Sequence, residues 1–145
     1  MLFRSPGWGR SVRKQQVKSP KFYFFDPGVV RSLRGCAHLP VIESTVEFGE
    51  FFEHWVILEC FRLNRLLERD FRLSYLLTKD GAEIDLVIER PRRPTLLVEI
   101  KSTTQVRPDH VRALRGFGQE LSETLSYCLS RDPVDKEIDG VRCLP

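Results

Sequence analysis

The fold is decided by Gly81-Ala82-Glu83-Ile84-Asp85-Leu86-Val87-Ile88-Glu89 and, a few residues later, by Thr95-Leu96-Leu97-Val98-Glu99-Ile100-Lys101. Side chains alternate between the faces of a strand, so Leu86 and its neighbouring isoleucines share one face of the first stretch and Asp85 lies on the other. The second stretch is almost continuously apolar until its end, which is typical of a strand buried on both faces. Both stretches are therefore predicted to be strands of one sheet.

The flanking sequence completes an α/β pattern. Lys79-Asp80-Gly81-Ala82 joins Arg72–Thr78 to the first stretch, and Asp-Gly between apolar runs is a strong hairpin signal. The predicted elements are a strand at 21–25, a short helix from Asp26 to Leu33 closed by Gly35, a long helix at about 46–70, the three strands, a helix at 108–120, and strands at 124–129 and 141–144. We predict a mixed central sheet flanked by helices (αβββαβ) with an extra N-terminal strand and short helix.

Composition indicates one ordinary domain. The chain has 145 residues, of which 41% are hydrophobic and 30% charged. No apolar run approaches the roughly 20 residues of a membrane helix, and no signal peptide is recognisable, so we expect no membrane contact and a cytoplasmic location. The four cysteines form no C-x-x-C pair, and we expect them to be small buried hydrophobic residues.

Residues 1–20 have no structural period and are predicted to be an irregular, basic lead-in, with the domain over 21–145. Residues 1–25 carry six basic side chains and no acidic one: Arg4, Arg10, Arg13, Lys14, Lys18 and Lys21. This stretch could contact the phosphates of a nucleic acid, or it could be a solvated lead-in to the first strand.

Three acidic positions break the apolar pattern. At 100° per residue, Glu59 falls at the centre of an apolar stripe of the long helix formed by Phe48, Phe52, Trp55, Val56, Leu63 and Leu66. Glu59 could instead pair with an arginine, Asp85 could lie on a solvated face of its strand, and Glu99 with Lys101 could be an ion pair at the rim of the sheet. If the acids converge, their mutual repulsion requires a divalent cation, and oxygen ligands favour Mg²⁺ or Mn²⁺.

The ordered set of Glu59, Gly81–Asp85 and Val98-Glu99-Ile100-Lys101 resembles the PD-(D/E)XK nuclease superfamily. A narrower resemblance extends over about residues 20–145. It lies in Lys21-Phe22-Tyr23-Phe24-Phe25-Asp26-Pro27-Gly28, Phe52-Glu53-His54-Trp55-Val56 and Lys79-Asp80-Gly81-Ala82-Glu83-Ile84-Asp85. These segments look like the nuclease-like C-terminal domain of many prokaryotic AAA-type ATPases. The resemblance implies a restriction-endonuclease-like core.

The resemblance also implies roles for the site residues. Asp85, Glu99 and the backbone carbonyl of Ile100 would hold the metal, and Glu59 would join them directly or through water. Lys101 would position the attacking water and offset charge on the phosphate. Related proteins carry an ATPase module, whereas this sequence has no G-x-x-x-x-G-K-[ST] phosphate loop. We therefore expect no ATPase activity in this chain and expect it to be a C-terminal fragment of a longer ATPase.

Three functions are compatible with these patterns. The intact site favours a metal-dependent phosphodiesterase acting on nucleic acid, with DNA preferred, and Arg90, Arg92 and Arg93 as candidate backbone contacts unless they form only an exposed turn. The second is a catalytically silent nuclease-like module that binds nucleic acid or a protein partner beside an ATPase. The third is an interaction domain whose acids are surface ion pairs.

Overall fold

A computed structural model describes residues 2–10, 16, 17 and 19–145. The elements in chain order are β1 (Leu2–Ser5), β2 (Lys21–Phe24), α1 (Pro27–Leu33), α2 (Val46–Leu66), β3 (Arg72–Leu77), β4 (Glu83–Glu89), β5 (Thr95–Lys101), a 3-10 turn (Pro108–Val111) leading into α3 (Arg112–Glu120), β6 (Thr124–Ser130), β7 (Lys136–Ile138) and β8 (Val141–Leu144). The chain is a mixed α/β protein, as the sequence predicts. None of the helices in the described part of the chain is long and apolar enough to span a membrane.

The main sheet has six strands in the order β3-β4-β5-β6-β8-β7. β3, β4 and β5 are antiparallel neighbours, whereas β5, β6 and β8 run parallel and β7 is antiparallel to β8. The connection between β5 and β6 contains α3, as parallel neighbours require. The three-residue β7 was not predicted, because Lys136-Glu137-Ile138 is too short and too polar to show a strand pattern.

Each face of the sheet is covered by a different helix. Leu86 and Val98 pack in a cluster that contains Ile57 and Leu58 of α2. Val87 and Leu97 point the other way, into a cluster with Leu114 and Phe117 of α3. Complete burial of each such side chain stabilises the fold by about 1.5–3 kcal/mol. The predicted burial of the central strands on both faces is confirmed.

The beginning of the chain is part of the fold. β1 pairs antiparallel with β2, and Trp8 is only 1% exposed in the α3-side cluster. The prediction of an irregular lead-in is therefore wrong for residues 2–5, where Leu2-Phe3-Arg4-Ser5 was too short to read as a strand. Among the predicted basic contacts, Arg13, Lys14 and Lys18 lie outside the described residues.

Local signals fixed several element ends. The Asp26 carboxylate accepts from the Gly28 amide at the start of α1, and Gly35 follows the helix with φ +72°. Gly81 has φ +86° in the turn between β3 and β4, a conformation that glycine adopts without strain. Of the cysteines, Cys128 and Cys143 are fully buried, as expected, whereas Cys36 and Cys60 are half-buried.

Candidate functional site

Two carboxylates meet where β4 and β5 separate. The last residues that the strands pair are Leu86 and Val98. Asp85 and Glu99 come next on their strands and are 6% exposed each. Beyond the last pair, Asp85 Oδ2 accepts a hydrogen bond from the backbone N–H of Ile100 at 2.7 Å. The Asp85 carboxylate thus takes the place of a backbone acceptor for the Ile100 amide. This hydrogen bond keeps Asp85 beside Glu99, the neighbour of Ile100 on β5.

Glu99 is paired through only one of its oxygens. Its Oε1 lies 2.5 Å from Nζ of Lys101, which is two residues further along the same face of β5. Its Oε2 is buried and has no hydrogen-bond partner among the described residues. A buried acceptor without a partner costs free energy, so this oxygen is available for a cation or a donor that enters the site.

The electrostatics of this pair are those of crowded, buried acids. Burial, followed by the charge of Asp85, raises the pKa of Glu99 to about 8, against the opposing influence of Lys101. Burial also raises the pKa of Asp85, while the hydrogen bond from Ile100 and the charge of Lys101 act in the other direction. Desolvation lowers the pKa of Lys101, but Glu99 and Asp85 more than offset it, so the pKa stands above its ordinary value and the ammonium stays charged.

A second group of charges borders the first. Lys21 of β2 forms an ion pair with Glu83, the first residue of β4, and lies 3.9 Å from the carboxylate of Glu53 on α2. The Tyr23 hydroxyl donates to Glu53 at 3.5 Å. Burial, and then the negative charge of Asp85, raises the pKa of Glu53 to about 7. Glu53 is therefore the acidic residue of α2 whose pKa depends on the charge of Asp85.

These groups open into a cleft of about 930 Å³. Its walls come from α2, from the β3–β4 turn, from the ends of β4 and β5, and from the 3-10 turn and α3 on the far side. The charged and imidazole side chains that line it are Glu53, Asp80, Glu83, Asp85, Glu99, Lys101, Asp109, His110, Arg112 and Glu120. Asp85 and Glu99 both line it, so a ligand that enters the cleft would meet the two buried acids.

His110 brings a neutral imidazole to this cleft. Its Nδ1 accepts from the Arg107 amide at 3.1 Å, which leaves the proton of the neutral ring on Nε2. Burial and then the charge of Lys101 lower the pKa of His110, which favours the neutral ring. Neither His110 nor Arg112 was predicted from the sequence, because single residues at a helix start form no recognisable pattern.

The structure places Glu59 outside the cleft. Its Oε1 is 2.5 Å from the guanidinium of Arg62, and the side chain is 40% exposed. Arg62 in turn donates to the carbonyl of Phe25. The predicted convergence of Glu59 with Asp85 and Glu99 is thus wrong, and the alternative of an arginine pair describes its position. Glu53 occupies the helix position that had been assigned to Glu59.

The physical reason is the direction in which α2 faces. Ile57 and Leu58 are the buried residues of the helix, whereas Trp55, Leu63 and Leu66 of the predicted apolar stripe are 46%, 51% and 77% exposed. The apolar residues encircle so much of the helix that their periodicity did not identify the face that packs. The two polar residues of Phe52-Glu53-His54-Trp55 both contact β2. This segment therefore indicates the packed face of α2 better than the apolar stripe does.

Among the described residues, the site offers a metal ion two carboxylates and no third acidic, histidine or cysteine side chain. No group of three or more histidine, cysteine, aspartate or glutamate side chains in the described part of the chain is arranged to hold one. Asp85 and Glu99 offer two adjacent carboxylates, and Glu99 Oε2 is unpartnered. The carbonyl of Ile100 as a third ligand stays a prediction; the amide of that residue is held in place by Asp85.

One known protein family matches the segment of the chain that forms this cleft. A domain of unknown function, DUF4143, matches residues 48–145, about two thirds of the chain. This chain belongs to the DUF4143 family. The matched range of the DUF4143 domain contains Glu53, Asp85, Glu99 and Lys101, whereas β1 and β2, with Lys21 and Tyr23, precede it.

Two curated relatives of this DUF4143 protein are uncharacterised proteins of Mycobacterium bovis and Mycobacterium tuberculosis. Each is 32% identical over 108 residues, which make up 74% of this chain and 23% of the relative. The chain therefore spans about a quarter of the length of the curated relatives that it matches. No solved structure matches it.

Proposed function

We propose that this chain is a metal-dependent phosphodiesterase domain acting on nucleic acid, with a PD-(D/E)XK-type site in a restriction-endonuclease-like core. The observation that carries the proposal is the convergence of Asp85, Glu99 and Lys101 where β4 and β5 separate. The element order α2-β3-β4-β5-α3-β6 agrees with the αβββαβ arrangement of that core. The site of the proposal differs from the sequence prediction in one residue, since Glu53 replaces Glu59.

Mg²⁺ or Mn²⁺ is the cofactor that this donor set fits. Mg²⁺ is commonly held by one or two carboxylates and several waters, so Asp85 and Glu99 suffice without a third side chain. The buried, unpartnered Glu99 Oε2 is the observation that supports the fit. When bound, a divalent ion would supply Lewis acidity and a more acidic water. Burial raises the pKa values of both acids, and a bound cation would offset the cost of ionising them in the site.

The protein groups have distinct roles in the proposed reaction. Lys101, whose ammonium stays charged and half-exposed, would hold a phosphate oxygen or the attacking water beside Glu99. The Ile100 amide orients Asp85, so the carboxylate does not have to reorganise when substrate arrives. Glu53, with a pKa of about 7, is suited to accept a proton from water near neutral pH.

The proposal extends to the protein of which this domain is a part. The curated relatives are about four times as long as the matched segment. We propose that the domain works beside an ATPase module, as the resemblance to nuclease-like C-terminal domains of AAA-type ATPases implies. In this arrangement DNA is the preferred nucleic acid partner of the cleft.

The test is a cleavage assay on end-labelled single-stranded, duplex and branched DNA and on RNA, with Mg²⁺ or Mn²⁺. The wild type should cut at least one of these substrates, and Asp85→Asn and Lys101→Met should each lower the rate by at least about 100-fold. Glu59→Gln is the matched control and should retain the wild-type rate, because Glu59 lies outside the cleft. Binding of nucleic acid without cleavage by the wild type would favour the catalytically silent module.

A further inference from the structure

An arginine-lined cleft lies at the other end of the main sheet. The site described above is at the start of β4, whereas this cleft, of about 1060 Å³, includes the last residue of β4, Glu89, and the first residue of β5, Thr95. One wall carries Arg65, near the end of α2, with Arg69 and Arg72 beyond it. The cleft is therefore separate from the acidic site and is built from different residues.

The opposite wall is the turn between β4 and β5, which contributes Arg90, Arg92 and Arg93, and Arg10 completes the lining. Seven of the 17 arginines of the chain thus line one cleft, and no lysine among the described residues lines it. Three carboxylates line it as well, which leaves an excess of four positive charges. A guanidinium presents paired donors that match the oxygens of a phosphate, which a lysine ammonium does not.

Most of these guanidinium groups have no ion-pair partner among the described residues. Arg65, Arg69, Arg72, Arg92 and Arg93 are exposed and form no ion pair with any carboxylate in the part of the chain that the structure describes. Several surface arginines elsewhere do have carboxylate partners. For example, Arg115 lies 3.0 Å from Asp139. The cleft thus concentrates positive charge that the protein itself does not neutralise.

The β4–β5 turn holds its arginines in a defined position. The Arg90 guanidinium donates to the Pro94 carbonyl through Nε at 3.1 Å and Nη2 at 2.7 Å, and the Arg93 amide donates to the Arg90 carbonyl at 3.2 Å. Arg92 stands at φ +58°, a left-handed conformation in which glycine or asparagine is favoured. The turn therefore has an arginine at a position where glycine would adopt the backbone conformation with less strain.

We propose that this arginine cleft binds the phosphate backbone of a nucleic acid. The choice of a nucleic acid over an acidic protein surface rests on the proposed function of the acidic site, whereas the preference for an anion rests on the cleft alone. Arginines on two facing walls suit an extended ligand with regularly repeated charges better than a single phosphate. Contacts from these arginines to phosphates would position the ligand without carrying sequence information.

The two sites are spaced so that one nucleic acid can occupy both. The six steps of β4 from Glu83 to Glu89 cover about 20 Å at about 3.3 Å per residue. At about 3.4 Å per nucleotide, a strand needs about six nucleotides to bridge this distance. A nucleic acid strand bound in the arginine cleft would then extend to the acidic site.

The test is equilibrium binding of fluorescent single-stranded and duplex DNA of about 20 nucleotides, titrated in EDTA between about 50 and 200 mM salt. The triple variant Arg69→Ala, Arg92→Ala, Arg93→Ala should bind at least about 10-fold more weakly and have a shallower dependence of log K on log salt, by up to about three. The control is Arg34→Ala, Arg115→Ala, Arg142→Ala, which removes the same charge from arginines paired with carboxylates on other surfaces. The control should bind like the wild type.

Arg92→Gly separates binding from folding. It relieves the left-handed backbone, so it should keep or raise the melting temperature while weakening DNA binding. Equal affinities of the two triple variants would overturn the proposal, and so would polyglutamate binding to the wild type as tightly as DNA does. Asp85→Asn removes a negative charge from the acidic site, so it should bind DNA at least as tightly as the wild type in EDTA. Absence of cleavage by the wild type with DNA binding intact would therefore count only against the phosphodiesterase, and equal affinities of the two triple variants would count only against the cleft.

Discussion

Glu99→Gln should make the metal-free protein more stable at neutral and alkaline pH and leave its stability at pH 5 nearly unchanged. The pKa of Glu99 is raised from 4.5 to about 8, first by burial and then by Asp85. As pH rises from about 4.5 to about 8, the unfolded chain releases the proton while the folded chain keeps it. The free energy of unfolding therefore falls over this range, by up to about 1.4 kcal/mol per pH unit.

The magnitude follows from the same shift. At pH 7.5 the penalty is on the order of 4 kcal/mol as an upper bound, because water entering the open cleft lowers it. At about 3 °C per kcal/mol for a domain of this size, glutamine should raise the melting temperature by up to about 12 °C at pH 7.5. The measurement is thermal unfolding in EDTA from pH 5 to pH 8, followed by circular dichroism. Glutamine has no proton to lose, so this component of the pH dependence should disappear.

The matched control for this prediction is Glu59→Gln. Glu59 is 40% exposed and paired with Arg62, so its loss should leave the pH profile of the wild type intact. Parallel melting curves for the wild type and Glu99→Gln at every pH would refute the reasoning. Such a result would mean that Glu99 is solvated in the folded protein and is not held against Asp85.

Two further predictions concern the scaffold around the site. Gly81→Ala should lower the free energy of unfolding by about 1–2 kcal/mol in urea titrations, because the turn before β4 has φ +86°, which alanine adopts only with strain; an unchanged midpoint would show that the turn relaxes to another conformation. Arg31→Ala should cost about 3 kcal/mol in the same assay. The residue is 8% exposed, and its side chain pairs with Glu47 and donates to the carbonyls of Cys36 and Leu39, so alanine would remove a partly buried ion pair and two hydrogen bonds; Arg34→Ala, a 60%-exposed neighbour, is the control and should cost less than about 0.5 kcal/mol.

Local signals in the sequence were sufficient to locate most elements of the fold. The turn at Gly81, the cap at Asp26 and the uninterrupted apolar run of β5 each depend on the residues within a few positions, and the structure confirms all three. β1 could not be predicted in this way, because four residues become a strand only through pairing with β2. Strands that depend on a distant partner leave no trace in their own periodicity.

The same distinction applies to the candidate site. Asp85 and Glu99 were predictable because a carboxylate in the middle of an apolar strand violates the local pattern. Glu53 was not, because which face of α2 packs is decided by contacts with β2 and with the sheet and not by the helix itself. The arginines that line the second cleft come from three segments distant in the sequence, so only the fold brings them together.

The most direct test of the metal site is a calorimetric titration of Mn²⁺ into the wild type and into Asp85→Asn at about pH 7.5. We predict one bound ion per chain for the wild type, with release of protons because Glu99 must ionise to bind it, and loss of this binding in Asp85→Asn. Equal binding by both proteins, or no binding by the wild type at millimolar Mn²⁺, would contradict the assignment of Asp85 and Glu99 as metal ligands.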